Sequence, residues 1–148
     1  MNRTILNENN VVLNVAKETK REAIARVGRL LVQNGYVGEK YIEGMQKREE
    51  SLSTYVGNGV AIPHGMPEYM RYIRKSGLVV FQYPEGIDFG DGNRAYLLIG
   101  IAGKDDEHIE ILAGIALVCQ EEENVLKLRQ AASKEEIIEI LTDGEQDD

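Results

Sequence analysis

Two histidines and one arginine stand where side chains could do chemistry. His64 stands near the end of the stretch Tyr55-Val56-Gly57-Asn58-Gly59-Val60-Ala61-Ile62-Pro63-His64-Gly65. Gly57 and Gly59 let the backbone turn sharply, and the apolar run Val60-Ala61-Ile62 reads as a short strand anchoring the far side. Pro63 has no N–H, so it ends any ladder there and fixes the approach to the histidine, while Gly65 leaves room beside the ring. Such a setting can hold one ring nitrogen at the surface while a backbone carbonyl orients the other, as a nucleophilic imidazole requires. On local pattern alone a histidine in a turn is more often solvated or structural, and both readings stand.

His108 is expected in the first turn of a helix. The positive end of the helix dipole disfavours imidazolium, so a neutral ring with one N–H donor fits there, and together with free helix amides it could serve an anion. A surface histidine on the polar face fits the same pattern. Arg48 falls in the last turn of another expected helix. Its forked donors could clamp a phosphate, although arginines at helix ends commonly serve only the dipole and solvent.

The elements that must position these side chains follow from periodicity and caps. Val11-Val12-Leu13 reads as a first edge strand. Thr19 and Glu22 have capping-box spacing, after which Ala23, Ile24, Val27, Leu30 and Leu31 recur on one helical face until Asn34-Gly35. A second helix over 39–49 is expected to bury Tyr41, Ile42 and Met45 and to bring Arg48 to its end. Residues 66–74 are ambiguous. Leu78 to Tyr83 and Ala95 to Ala102 read as buried central strands, linked by the turn-rich Pro84-Glu85-Gly86 and Gly90-Asp91-Gly92. Asp105 or Asp106 is expected to cap the next helix, with Ile109, Leu112, Ile115, Ala116 and Cys119 facing the core. Val125 to Leu128 suggest a short helix. Ser133 and Glu136 form another capping box ahead of Ile137, Ile138 and Leu141, and residues 143–148 read as a frayed acidic tail. Helices alternating with a few strands, without repeat or linker, predict a single layered α/β domain over residues 1–148, with a mixed sheet of about five strands flanked by helices.

Composition narrows the function classes. With 148 residues there is room for one domain, and 43% hydrophobic with 28% charged residues is an ordinary globular mix. The net charge of -8, from 17 basic and 25 acidic side chains, repels a phosphate backbone and argues against nucleic acid. One cysteine cannot form an internal disulfide, no charged-then-apolar leader opens the sequence, and the apolar runs fall short of the ~20 residues that cross a bilayer. The expectation is a soluble, cytoplasmic protein that does not insert into a membrane. Cys119 shares an apolar helical face and reads as core.

Several blocks in order resemble the EIIA components of the phosphoenolpyruvate-dependent sugar phosphotransferase system, in the mannitol branch of the mannitol/fructose group. They are Gly35-Tyr36-Val37, Arg48-Glu49, Gly59-Val60-Ala61-Ile62-Pro63-His64-Gly65, Gln82-Tyr83-Pro84-Glu85-Gly86 and Glu107-His108-Ile109, within a span from about Thr19 to Leu141. Residues 1–17 carry no such motif and read as a variable N-terminal segment. The resemblance implies a mixed sheet flanked by helices. It implies that His64 carries a phosphoryl group, that His108 assists it, and that Arg48 lines the site.

It further implies that His64 accepts the group from the phosphohistidine of HPr and passes it to a cysteine of EIIB, as in a mannitol EIICB permease, with neither metal nor cofactor. Phosphoryl transfer asks for positioning and charge stabilisation rather than covalent help. Asp105 and Asp106 beside His108 depart from a phosphate-friendly pattern, and capping would turn them away. Release of two partners calls for a modest contact surface, for which Met66 and Met70 are candidates. The alternative is a regulatory EIIA-like domain whose histidine phosphorylation state controls binding to a partner protein.

Overall fold

The computed structural model describes residues 5–143. Asn7 opens a short 3-10 turn at Glu8–Asn10, and the chain enters β1 (Val11–Val12). Part of the N-terminal segment is woven into the core, for Leu6, Asn10 and Val11 are buried.

Thr19 starts α1 (Lys20–Gln33) with a complete capping box: its side chain accepts from the Glu22 amide and Glu22 reaches back to the Thr19 N–H. The helix ends at Asn34-Gly35, as the sequence predicts. α2 (Lys40–Ser51) follows, burying Tyr41 and Met45 while Ile42 is only half-buried. β2 (Tyr55–Gly57) turns into β3 (Val60–Ala61). The ambiguous 66–74 segment holds a 3-10 stretch, Pro67–Tyr72.

β4 (Gly77–Gly90) and β5 (Asn93–Ala102) form the long central hairpin. The expected turn at Pro84-Glu85-Gly86 is instead a bulge within β4. Gln82 pairs with Leu97 and Ile87 with Ala95, so the residues between are looped out opposite Tyr96. The strand resumes and reverses at Gly90-Asp91-Gly92.

On the far side come α3 (Glu107–Cys119), α4 (Glu122–Gln130) and α5 (Lys134–Asp143). α4 exceeds the short Val125 to Leu128 helix expected of it. Ser133 accepts from the Glu136 amide ahead of α5. Of the acidic tail, Asp143 is the last residue of α5, and 144–148 lie outside the described residues.

The sheet order is β1-β4-β5-β3-β2, with β4–β5 and β2–β3 antiparallel and β1–β4 and β3–β5 parallel. Both faces are covered. Alternation along β4 and β5 sends Leu78, Val80, Leu97, Ile99 and Ile101 into the layer of α3, α4 and α5, and Val79, Phe81, Leu98 and Ala102 into the layer of α1 and α2. The result is the mixed five-stranded α/β architecture the sequence predicts.

Two expectations for α3 fail. Ile109 is 71% exposed and Ala116 is exposed; the face that enters the core is Ile111, Ile115 and Cys119. Neither aspartate caps the helix. Asp106 makes no side-chain cap bond, and Asp105 sits at φ 54 with its side chain exposed. The turn satisfies itself through the backbone, with the Glu107 amide donating to the Lys104 carbonyl at 3.1 Å.

Candidate active site

Parallel strands β3 and β5 end on the same edge of the sheet, and each is followed by a loop that delivers a histidine. This brings His64 and His108 together across the chain: their ring centroids lie 5.2 Å apart with the planes tilted by 59°. Open α/β sheets commonly place their sites beyond the carboxyl ends of parallel strands, and this one follows that rule.

The His64 loop is bonded on several sides. The Ile62 amide donates to the Thr54 carbonyl at 3.0 Å, the Pro63 carbonyl accepts from the Ile101 amide at 3.0 Å, and the Met66 amide donates to the Gly44 carbonyl at 3.1 Å. Gly65 donates its N–H to the Tyr41 hydroxyl at 2.8 Å, and a Cβ at this position would come within 2.6 Å of the Tyr41 ring. Only glycine lets the chain pass so close. Proline at 63 costs nothing, because its carbonyl, not an N–H, makes the bond to β5.

The His64 ring is half-buried, and its Nδ1 lies 2.7 Å from the Ile62 carbonyl oxygen. A carbonyl can only accept, so Nδ1 carries the proton and Nε2 keeps the lone pair. Burial first, with smaller contributions from His108 and Arg48, lowers its pKa below that of a free histidine; the Ile62 bond and the Glu49 charge oppose this. At neutral pH the ring is therefore neutral, with its Nε2 lone pair unprotonated as a nucleophile would need.

His108 sits in the first turn of α3, where its backbone crosses Gly103. A Cβ on Gly103 would come within 2.2 Å of the His108 Cα, so the close approach of β5 and α3 requires glycine. Burial lowers the His108 pKa as well, and its Nδ1 is buried without a protein hydrogen-bond partner. Met70, Arg71, Lys104, Ile109 and His108 line part of a surface cavity of about 490 Å³ beside it.

Arg48 lies in the last turn of α2, as expected, and its Nη1 donates to the Leu52 carbonyl. Its positive charge is one of the smaller causes, behind burial, that hold the His64 pKa down. Met66 and Met70 are half-buried, whereas Ile109 and, beyond α2, Leu52 at 68% are the exposed large apolar side chains of this region.

Two contributors were not singled out by sequence reasoning. Tyr41, assigned only to the core, uses its hydroxyl to hold the His64 loop, and Glu49 is a buried carboxylate bonded to Thr54, whose carbonyl takes the Ile62 amide. Cys119 is buried as expected, its thiol pushed up to about 11 by burial. Among the described residues no three His, Cys, Asp or Glu side chains gather as a metal site, and no helix is long and apolar enough to cross a membrane.

An imidazole with its Nε2 lone pair free beyond parallel strands, faced by a second histidine at a helix start, has the chemistry to accept an electrophilic group such as a phosphoryl. The chain belongs to the family described as "Phosphoenolpyruvate-dependent sugar phosphotransferase system, EIIA 2", which matches residues 4–144; it is thus a phosphotransferase component. It is 50% identical over 143 residues to the mannitol-specific phosphotransferase enzyme IIA component of Geobacillus stearothermophilus, covering 97% of this chain and 99% of that one. Its fold is similar to that of enzyme IIAMTL in a complex with phosphorylated enzyme IIBMTL from Escherichia coli, with TM-score 0.88, 36% identity, and 93% and 97% of the two chains covered. The nitrogen regulatory protein IIA-Ntr of Neisseria meningitidis is also similar in fold, with TM-score 0.83 and 26% identity over 94% and 97% of the chains.

Proposed function

We propose that His64 is the phosphoryl-carrying nucleophile of a mannitol uptake relay in the cytoplasm, receiving the group from the phosphohistidine of HPr and passing it to a cysteine of a mannitol EIIB. The observation that carries this reading is the Ile62 carbonyl on His64 Nδ1, which leaves Nε2 as the attacking atom. The lone pair of Nε2 attacks phosphorus as the donor's P–N bond breaks, and the reverse step hands the group to a thiolate. The mannitol assignment rests on the 50% identical relative, against 26% for the regulatory one. The complex of a related IIA with phosphorylated IIB supports EIIB as the acceptor.

His108 serves the phosphoryl oxygens. An orphaned buried N–H is rarer and costlier than an unused lone pair, so its proton belongs on Nε2 rather than on the unpartnered Nδ1, and Nε2 becomes a donor. Arg48 keeps further donors of its guanidinium fork for the same anion and adds its charge. Burial of Cys119 keeps it out of the relay.

The test is incubation with phosphoenolpyruvate, enzyme I and HPr. One phosphoryl group should appear on His64, labile to acid and stable to base as a phosphoramidate is. His64→Ala should accept none, and normal phosphorylation of that variant would end the assignment.

A further inference from the structure

Glu49 follows Arg48 in the last turn of α2, yet it is only 7% exposed. Its Oε1 accepts from the Thr54 hydroxyl at 2.6 Å and the Thr54 amide at 3.1 Å, and its Oε2 lies 3.3 Å from the Lys20 Nζ of α1. Thr54, itself buried, offers its carbonyl to the Ile62 amide at 3.0 Å, and the Ile62 carbonyl receives Nδ1–H of His64 at 2.7 Å. An unbroken set of contacts thus runs from a buried carboxylate to the ring that is to be phosphorylated.

We propose that Glu49 is a positioning residue for His64 and the counter-charge of its phosphorylated ring. The inference rests on the reading of His64 as the phosphoryl carrier. When the Nε2 lone pair forms the bond to phosphorus and the donor nitrogen leaves with its electron pair, Nδ1 keeps its proton, because the Ile62 carbonyl can only accept. The ring therefore holds an imidazolium charge beside the phosphoryl group. A half-buried cation needs an opposite charge nearby.

The charged or titratable groups acting on this ring are His108 of α3 and Arg48 and Glu49 of α2, while the neutral Tyr41 hydroxyl bonds the neighbouring Gly65 amide. His108 and Arg48 disfavour a positive ring, and Glu49 favours it. Lys20 stands beyond Glu49, donating also to the Phe89 carbonyl at 3.2 Å, and its side chain is 33% exposed. It tempers the carboxylate without reaching the ring. A carboxylate that only turned the chain out of α2 could be exchanged for its amide with no effect on the histidine.

The charge can be read in opposite directions. Glu49→Gln keeps the shape and one acceptor but removes the charge, whereas Lys20→Met leaves the carboxylate uncompensated. The His64 titration midpoint is followed by NMR in the unphosphorylated protein, and the transfer equilibrium with phospho-HPr is measured separately. Glu49→Gln should move the midpoint down and shift the equilibrium away from phospho-His64 by about tenfold, which is ~1.4 kcal/mol; Lys20→Met should move both the other way. Glu49→Asp should restore part of the midpoint. If Glu49→Gln does not fold, an upward midpoint in Lys20→Met still supports the role. Midpoints that stay put, or that move in the same direction in both variants, overturn it. Were His64 to take no phosphoryl group in the wild type, the proposed function would fall, while the NMR midpoints would still decide the charge coupling.

Discussion

The Tyr41 hydroxyl donates to the Ile101 carbonyl at 3.0 Å and accepts from the Gly65 amide at 2.8 Å. One buried phenol on α2 therefore ties the end of strand β5 to the loop that carries His64, and burial pushes its pKa up to about 12, so it stays a donor. Tyr41→Phe preserves the packing and removes both bonds. The Gly65 N–H would be left without its partner, at a cost of about 1–3 kcal/mol. Urea unfolding should show a lower midpoint with an unchanged slope, and an unmoved midpoint would deny Tyr41 this role.

Both histidines bind protons less tightly in the native protein than in the unfolded chain, burial being the leading cause for each. The neutral rings contribute their stability in full above the unfolded value of ~6.5. As pH falls from there through the lower native values, the unfolded chain takes up protons that the native chain does not, and stability declines. Glu18, held low chiefly by its bond to Arg26, adds its own acid loss only below 4.5. Stability measured between about pH 7 and 5 should therefore fall less in a His64→Gln/His108→Gln double variant than in the wild type. An equal fall in both proteins would contradict the burial of the rings.

His108→Ala removes a donor but leaves the nucleophile. Loss of a well-placed donor in a dry site costs ~2.7–4 kcal/mol of barrier, and less is expected in this open one. HPr should still phosphorylate His64, while transfer to EIIB slows by roughly tenfold or more. His108→Gln keeps an N–H and should retain part of the rate. Quench-flow kinetics of the two half-reactions would reduce His108 to a bystander if the alanine variant matched wild type in both.

Cys119→Ser places a hydroxyl in the core between α3 and the sheet. Its effect should be confined to stability, about 1–3 kcal/mol, with onward transfer intact in the folded fraction. The native thiol should also resist alkylation until the protein is unfolded. Loss of transfer in a folded serine variant would give Cys119 a part in the relay.

The layered α/β class, the α1 capping box and the strand-and-turn setting of His64 were legible because each depends on local residues: Thr19 with Glu22, or Gly57 to Gly65. α3 was misjudged for a physical reason. Ile109, Ile111, Leu112, Ile115, Ala116 and Leu117 ring the helix almost completely, so periodicity cannot choose a face, and the sheet chooses Ile111, Ile115 and Cys119. The bulge in β4 was hidden because Pro84-Glu85-Gly86 has the composition of a turn, and only the pairing of Ile87 with Ala95 reveals that the strand goes on. Glu49 had no sequence signal beyond its place beside Arg48. A glutamate near a helix end reads as a solvated charge until Thr54 and Lys20 are seen to enclose it.

The parallel pairing of β3 with β5 sets the order in which the molecule can become competent. The β4–β5 hairpin joins neighbours in sequence and can form early, whereas Val60 must find Leu97 across the intervening chain before His64 meets His108. Such distant contacts are entropically costly and come late in folding. A nascent or partly collapsed chain would thus hold its histidines apart, and the two rings would meet only once β3 has docked on β5.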